Sequence, residues 1–96
     1  MKKIIGIIGI LSCISFTSSA QMKAGNECLA RLDYRGAAYQ FERVVKKDTS
    51  NAEAWLKLAE CYRITRNYDQ ALFSFNKAYA YNPSSEAAFR GYIDQL

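Results

Sequence analysis

The chain has 96 residues and a formal net charge of +4, from 13 Lys and Arg against 9 Asp and Glu, and it contains no His. The missing imidazole removes the commonest general base and the commonest metal ligand. Its three Cys lack Cys-x-x-Cys spacing, and Gly25, Gly36 and Gly91 stand isolated, so neither a zinc site nor a phosphate-cradling loop is written into the chain. No catalytic residue, metal ligand or cofactor is therefore expected, and Glu27, Glu42, Glu53, Glu60 and Glu86 read as solvated helix-face charges.

The N-terminal 20 residues read as a targeting segment. Lys2 and Lys3 precede an apolar run from Ile4 to Ile14, and Ser18-Ser19-Ala20 supplies small residues before a cut. This is the three-part layout of a secretory signal peptide, with cleavage after Ala20. The apolar stretch, which reaches Phe16, is shorter than the roughly 20 residues that cross a bilayer. A second reading uses Ile10-Leu11-Ser12-Cys13, which looks like a bacterial lipoprotein box. Lipid on Cys13 would then tether the protein to a membrane. Export in either form places it in the periplasm or at the outer membrane. Cleavage would leave residues 21–96, one domain at most, with Lys2 and Lys3 lost and the net charge down to +2. No basic run exceeds Lys46-Lys47, so nucleic acid is not an expected partner.

From residue 21 onward the spacing predicts five helices, at about 22–31, 35–47, 52–64, 68–81 and 85–95. Asp33 is placed to cap the second. Ser50 and Glu53 have capping-box spacing before the third, and Asn67 with Gln70 repeats it before the fourth. Pro83 discourages continuation of the fourth, and Ser84 or Ser85 can cap the fifth.

Sliding the chain by 34 residues places Gly25 on Ala59, Cys28 on Tyr62, Tyr34 on Tyr68, Ala37 on Ala71, Phe41 on Phe75 and Val44 on Ala78, with no gap. Small residues meet small ones and aromatics meet aromatics. A further shift places Trp55 on Phe89, Leu58 on Tyr92 and Tyr62 on Leu96. Ala59 and Ala71 should face each other in the second hairpin, as Gly25 and Ala37 do in the first. Trp55, Tyr62, Phe75 and Tyr79 should fill the remaining space. The expected fold is all-α, a solenoid of antiparallel helix hairpins: repeats at about 21–51 and 52–85, then a terminal helix at about 85–96. Ile93 stands where a third small residue would fall. The last helix is either a cap or the front of a longer array.

Trp55, Leu58, Ala59, Tyr62, Ala71, Phe75, Ala78 and Pro83 together resemble the tetratricopeptide repeat, whose pattern runs Trp-x2-Leu-Gly-x2-Tyr, then Ala, Phe and Pro over 34 residues. The first repeat departs from that pattern at Gln21, Ala24 and Thr49. The resemblance implies a scaffold that binds a protein or peptide in a concave groove lined by the first helix of each repeat. Carried onto this chain, it assigns the groove Glu53, Leu56, Lys57, Glu60, Arg63 and Ile64, with Met22, Asn26, Leu29 and Ala30 before them and Ala87, Arg90 and Asp94 after. The family's clamp for a C-terminal carboxylate is not expected. Asn26 matches one of its Asn residues, but Met22, Ala87 and Gly91 stand where Lys, Lys and Arg would be needed.

The segment Leu58-Ala59-Glu60-Cys61-Tyr62-Arg63, behind such a leader, is also similar to the N-terminal repeats of Bacteroidetes-type outer-membrane-associated proteins. The alternative reading is accordingly a structural or assembly segment leading a larger envelope protein. An exported protein can form disulfides. Yet Cys28 and Cys61 lie one residue out of register on neighbouring helices, whose axes pack about 8–10 Å apart, against the ~5.5 Å between Cα atoms that a bridge needs. Thiol titration of the denatured protein should find both as free thiols, and finding neither would overturn that assignment.

Overall fold

The structure is a computed structural model and describes residues 20–95. The segment read as a leader, with Cys13 in it, and Leu96 lie outside the described residues; only Ala20 of the expected signal falls inside. Five helices follow one another: α1 (20–30), α2 (Tyr34–Lys47), α3 (Ala52–Ile64), α4 (Tyr68–Tyr81) and α5 (Glu86–Gln95). Among the described residues there is no strand. Turns of three or four residues fold neighbours into antiparallel hairpins. Among α2 to α5 the α3–α4 contact is the most extensive, and α3 also touches α2 and α5.

The turns repeat at the atomic level. Leu32 and Arg66, 34 positions apart, both take the left-handed conformation, with φ of 61° and 67°. After Leu32, the Asp33 amide donates to the Cys28 carbonyl at 2.8 Å; after Arg66, the Asn67 amide donates to the Tyr62 carbonyl at 2.8 Å. This six-to-one bond closes each helix, adding a donor to a carbonyl that also accepts from the Arg31 amide in the first turn and from the Thr65 hydroxyl in the second. The next turns correspond too. Asp48 donates to Val44 and Asn82 to Ala78, while Asn51 donates to Asp48 and Ser85 to Asn82.

Capping agrees with expectation at two helices and departs from it at two. Asp33 Oδ1 accepts from the Gly36 amide, and Ser85 Oγ from the Ala88 amide. At α3 the cap is Asn51 rather than Ser50: its Oδ1 accepts from Ala54 at 3.1 Å, while the Ser50 hydroxyl donates back to Asp48. At α4, Asn67 occupies the cap position without a side-chain bond to the helix. Its side-chain Nδ2 donates instead to Thr65 Oγ1, and the Thr65 hydroxyl closes the end of α3 on the Cys61 carbonyl.

The core follows the 34-residue register. Ala37, Phe41 and Val44 are buried on α2, as are Ala71, Phe75 and Ala78 on α4, with Trp55, Leu58, Ala59 and Tyr62 between them on α3. Gly25 and Gly91 are close approaches between helices. A Cβ on Gly25 would meet the Phe41 ring at 2.7 Å, and one on Gly91 would collide with the Phe75 ring. Gly91 therefore receives α4 two residues before the register position, where Ile93 is 47 % exposed. Gln21, the departure in the tryptophan position, is buried, and with its amide turned over its oxygen would accept from Arg43 Nε and Nη2 at 3.2 Å. Pro83 is exposed and belongs to the turn after α4. Tyr79, expected in the core, lies at its edge, with its ring 5.7 Å from that of Phe89. Cys28 and Cys61 are buried free thiols, in agreement with the expectation.

Ala71 has no exposed surface. Ala71→Leu should overpack the α3–α4 seam at a cost of about 1–3 kcal/mol, and thermal melts followed by circular dichroism should show a transition several degrees lower. Gly91→Ala sets a similar cost against a gain of about 1 kcal/mol in helix propensity. Because the Phe75 ring is buried and cannot retreat, it should still lower the midpoint. Melts superposing on wild type for both variants would contradict the packing described.

Candidate protein-binding surfaces

The α1–α3–α5 surface is assembled from the first helix of each hairpin. Glu53, Leu56, Lys57, Glu60, Arg63 and Ile64 follow the 3.6-residue period and share one face of α3. Lys57 ties that face to α1: its Nζ donates to Asn26 Oδ1 at 2.6 Å across the helix boundary and lies 3.4 Å from Glu53 Oε1. Three of the predicted groove residues are thus brought together in one polar chain. Leu56 and Glu60 are half-buried beside it, while Arg63 and Ile64 are exposed. Met22 and Leu29 are half-buried against the core, and Ala30 is exposed. On α5, Ala87, Arg90 and Asp94 are exposed, and Arg90 pairs with Glu86 one turn away rather than with α3. An exposed pair of this kind contributes little stability and leaves Arg90 available.

The opposite side of α3 carries a groove that sequence reasoning missed. Successive helix residues are rotated by about 100°, which puts Trp55, Leu58 and Tyr62 roughly opposite the Glu53–Ile64 face. These three form the floor between α2 and α4. One half is a cleft of about 480 Å³ with Val45 and Lys46 on the α2 wall and Phe73, Ser74 and Lys77 on the α4 wall. The other half, a hollow of about 310 Å³, has no α4 residue in its lining and lies between α2, at Arg35 and Tyr39, and the end of α3 with its turn, at Thr65 and Asn67. Glu42 and Tyr62 line both halves, and the Tyr62 hydroxyl donates to Glu42 between them.

Trp55 is fixed by its indole N–H, which donates to the Thr49 carbonyl at 2.6 Å, and by edge-on contact with Phe73, with ring centroids 5.8 Å apart. Phe73 is 55 % exposed, and Lys77 Nζ lies 5.5 Å from its centroid. The sequence signal for this groove was an aromatic on α4, Phe73, outside the repeat's core positions.

Burial dominates the titration of the two polar core groups on this helix. Burial first, then Glu60 and Cys28, push the Cys61 thiol from an ordinary 9.0 up to about 11. Burial and the bond to Glu42 raise the Tyr62 phenol above its usual range. Among the described residues, no group of three His, Cys, Asp or Glu is arranged to hold a metal ion. No described helix is long and apolar enough to cross a membrane.

Residues 52–85 match the family model for the tetratricopeptide repeat. No curated protein matches the chain.

A group whose pKa is raised in the folded state adds stability that is complete below its unfolded pKa and is lost as pH rises through the folded value. Denaturation midpoints should therefore hold steady to pH 9 and fall toward pH 11 as unfolded Cys61 ionises first. Cys61→Ala should flatten the part of that decline below pH 10. An unchanged profile in the variant would show that Cys61 does not set it.

Proposed function

We propose that this chain, whose residues 52–85 match the tetratricopeptide-repeat family model, is a non-catalytic scaffold of the bacterial cell envelope that docks a protein or peptide on the α1–α3–α5 face. Repeats of this kind generally mediate protein–protein binding, and each presents one helix face to a partner. The observation that carries the assignment of the face is the Lys57–Asn26 bond, which makes α1 and α3 one surface. Beside it, Glu60, Arg63 and Ile64 offer an acid, a base and an aliphatic group within one helical face. Such a mixture favours a partner read by pattern rather than by net charge. Binding without chemistry is supported by the absence of His from the whole chain. Export rests on the Lys2-Lys3 start, the apolar run and the Ser18-Ser19-Ala20 site.

A second reading, a segment within a larger envelope assembly, is favoured by α5. Phe89 and Ile93 are 48 % and 47 % exposed, whereas Trp55 and Ala59, their equivalents 34 positions earlier, are buried beneath α4. A further helix on that face would complete a third hairpin. The reading frame beyond the codon for Leu96 tests this directly. An open frame encoding an amphipathic helix supports the second reading, and an immediate stop removes it.

The primary proposal is tested by crosslinking and pull-down from envelope fractions, comparing wild type with Glu60→Lys/Arg63→Glu. These side chains are half-buried or exposed, so the double variant should fold normally, reach the envelope and lose its principal partner. Identical partner lists would remove the face from consideration, and recovery of both proteins only from the cytoplasm would remove the envelope assignment.

A further inference from the structure

We infer that the groove between α2 and α4, on the far side of α3 from the α1–α3–α5 face, is a second docking site, for an acidic peptide segment carrying an apolar anchor. The shape comes first. The larger half lies between α2 and α4, and the smaller one, beside α2 and the end of α3, adjoins it at Glu42 and Tyr62, so that together they flank α2 from Arg35 to Lys46. Eleven helical steps span about 17 Å, the reach of about five extended residues. The larger half, about 480 Å³, falls in the size range of side-chain and small-ligand sites.

The charge identifies the occupant. Lys46 and Lys77 stand on opposite walls of the larger half, and Arg35 lies in the smaller one. Among the described residues none of these three is in an ion pair; the pairs are Lys57–Glu53 and Arg90–Glu86. The groove's one carboxylate, Glu42, already accepts from Tyr62 at the centre. Glu42 keeps its negative charge in that bond, so the lining carries three cations against one carboxylate, a net positive charge around the apolar floor of Trp55 and Leu58. A basic segment would meet three like charges, and a wholly polar one would leave the Trp55–Phe73 cleft unfilled. A segment with carboxylates flanking a Phe or Leu satisfies both features. Phe73, more than half exposed beside a buried Trp55, provides the lip against which such an anchor would pack.

Trp55 is the only tryptophan in the sequence and forms part of the floor, so its emission reports occupancy. The test titrates the protein with a short blocked peptide holding a Phe-Leu pair between acidic residues, and with its twin carrying Lys in place of the acids. The acidic peptide should shift Trp55 emission saturably, more strongly at low than at high ionic strength, and the basic twin should not. Lys46→Glu/Lys77→Glu should weaken the affinity by at least about tenfold, while Glu60→Lys/Arg63→Glu on the other face should leave it within about twofold. Lys46→Glu alone, at an exposed position, should weaken binding severalfold and serves if the double variant loses helicity. No saturable response to about 1 mM peptide, equal response to the basic twin, or unchanged affinity in the folded lysine variants would overturn the proposal. Loss of binding in the Glu60/Arg63 variant instead would assign the peptide to the other face and equally overturn it.

Discussion

Two phenyl rings set the spacing of this molecule. Phe41 and Phe75, 34 positions apart, are the largest side chains fully or almost fully withdrawn from solvent, and each rests on the backbone of a glycine in an adjoining first helix. Gly25 receives Phe41 from within its own hairpin, and Gly91 receives Phe75 from the hairpin before it. A ring seated on bare backbone leaves no room for a methyl group. Close packing therefore defines the helix approach here to within a carbon atom, because a well-packed interior has no void in which to absorb an added group. The alanines Ala37, Ala59 and Ala71 extend the same constraint along the seams.

With that spacing set, the two faces of α3 acquire separate characters. The side toward α1 and α5 joins charged and aliphatic groups through Lys57, whose bonds to Asn26 and Glu53 hold a polar surface in place. The side toward α2 and α4 is aromatic and apolar below and cationic above. Trp55 and Tyr62 serve both as core and as groove floor. Each spends its polar atom locally, on the Thr49 carbonyl and on Glu42, and leaves its ring to line the channel. A short stack thus carries two surfaces of different chemistry.

Much of the fold was legible in the sequence because helix ends and helix periods are local. The boundaries at Ala52–Ile64 and Tyr68–Tyr81 coincide with those expected, since the 34-residue recurrence of small and aromatic residues allows only one phase. The choice of cap was less legible. Ser50 and Asn51 both carry acceptors, and which one reaches the helix depends on the turn, where the Ser50 hydroxyl is directed to Asp48. Gly91 was overlooked for a related reason. Strict register places a small residue at position 93, but α5 meets α4 two residues earlier, and Ile93 turns outward. The α2–α4 groove was hidden but for Phe73, an aromatic outside the repeat's core positions. Its floor residues read correctly as core, and a channel between two helices depends on how far apart they stand, which no spacing rule encodes.

The seating of each ring on a glycine is most directly tested by nuclear Overhauser spectroscopy of the folded protein in solution. The account predicts cross-peaks from the Phe41 ring protons to the Gly25 Hα protons and from the Phe75 ring protons to the Gly91 Hα protons, with both glycines shifted upfield by the ring currents. Cross-peaks from Phe75 to Ile93 in place of Gly91, or glycine Hα shifts at ordinary helical values, would contradict it.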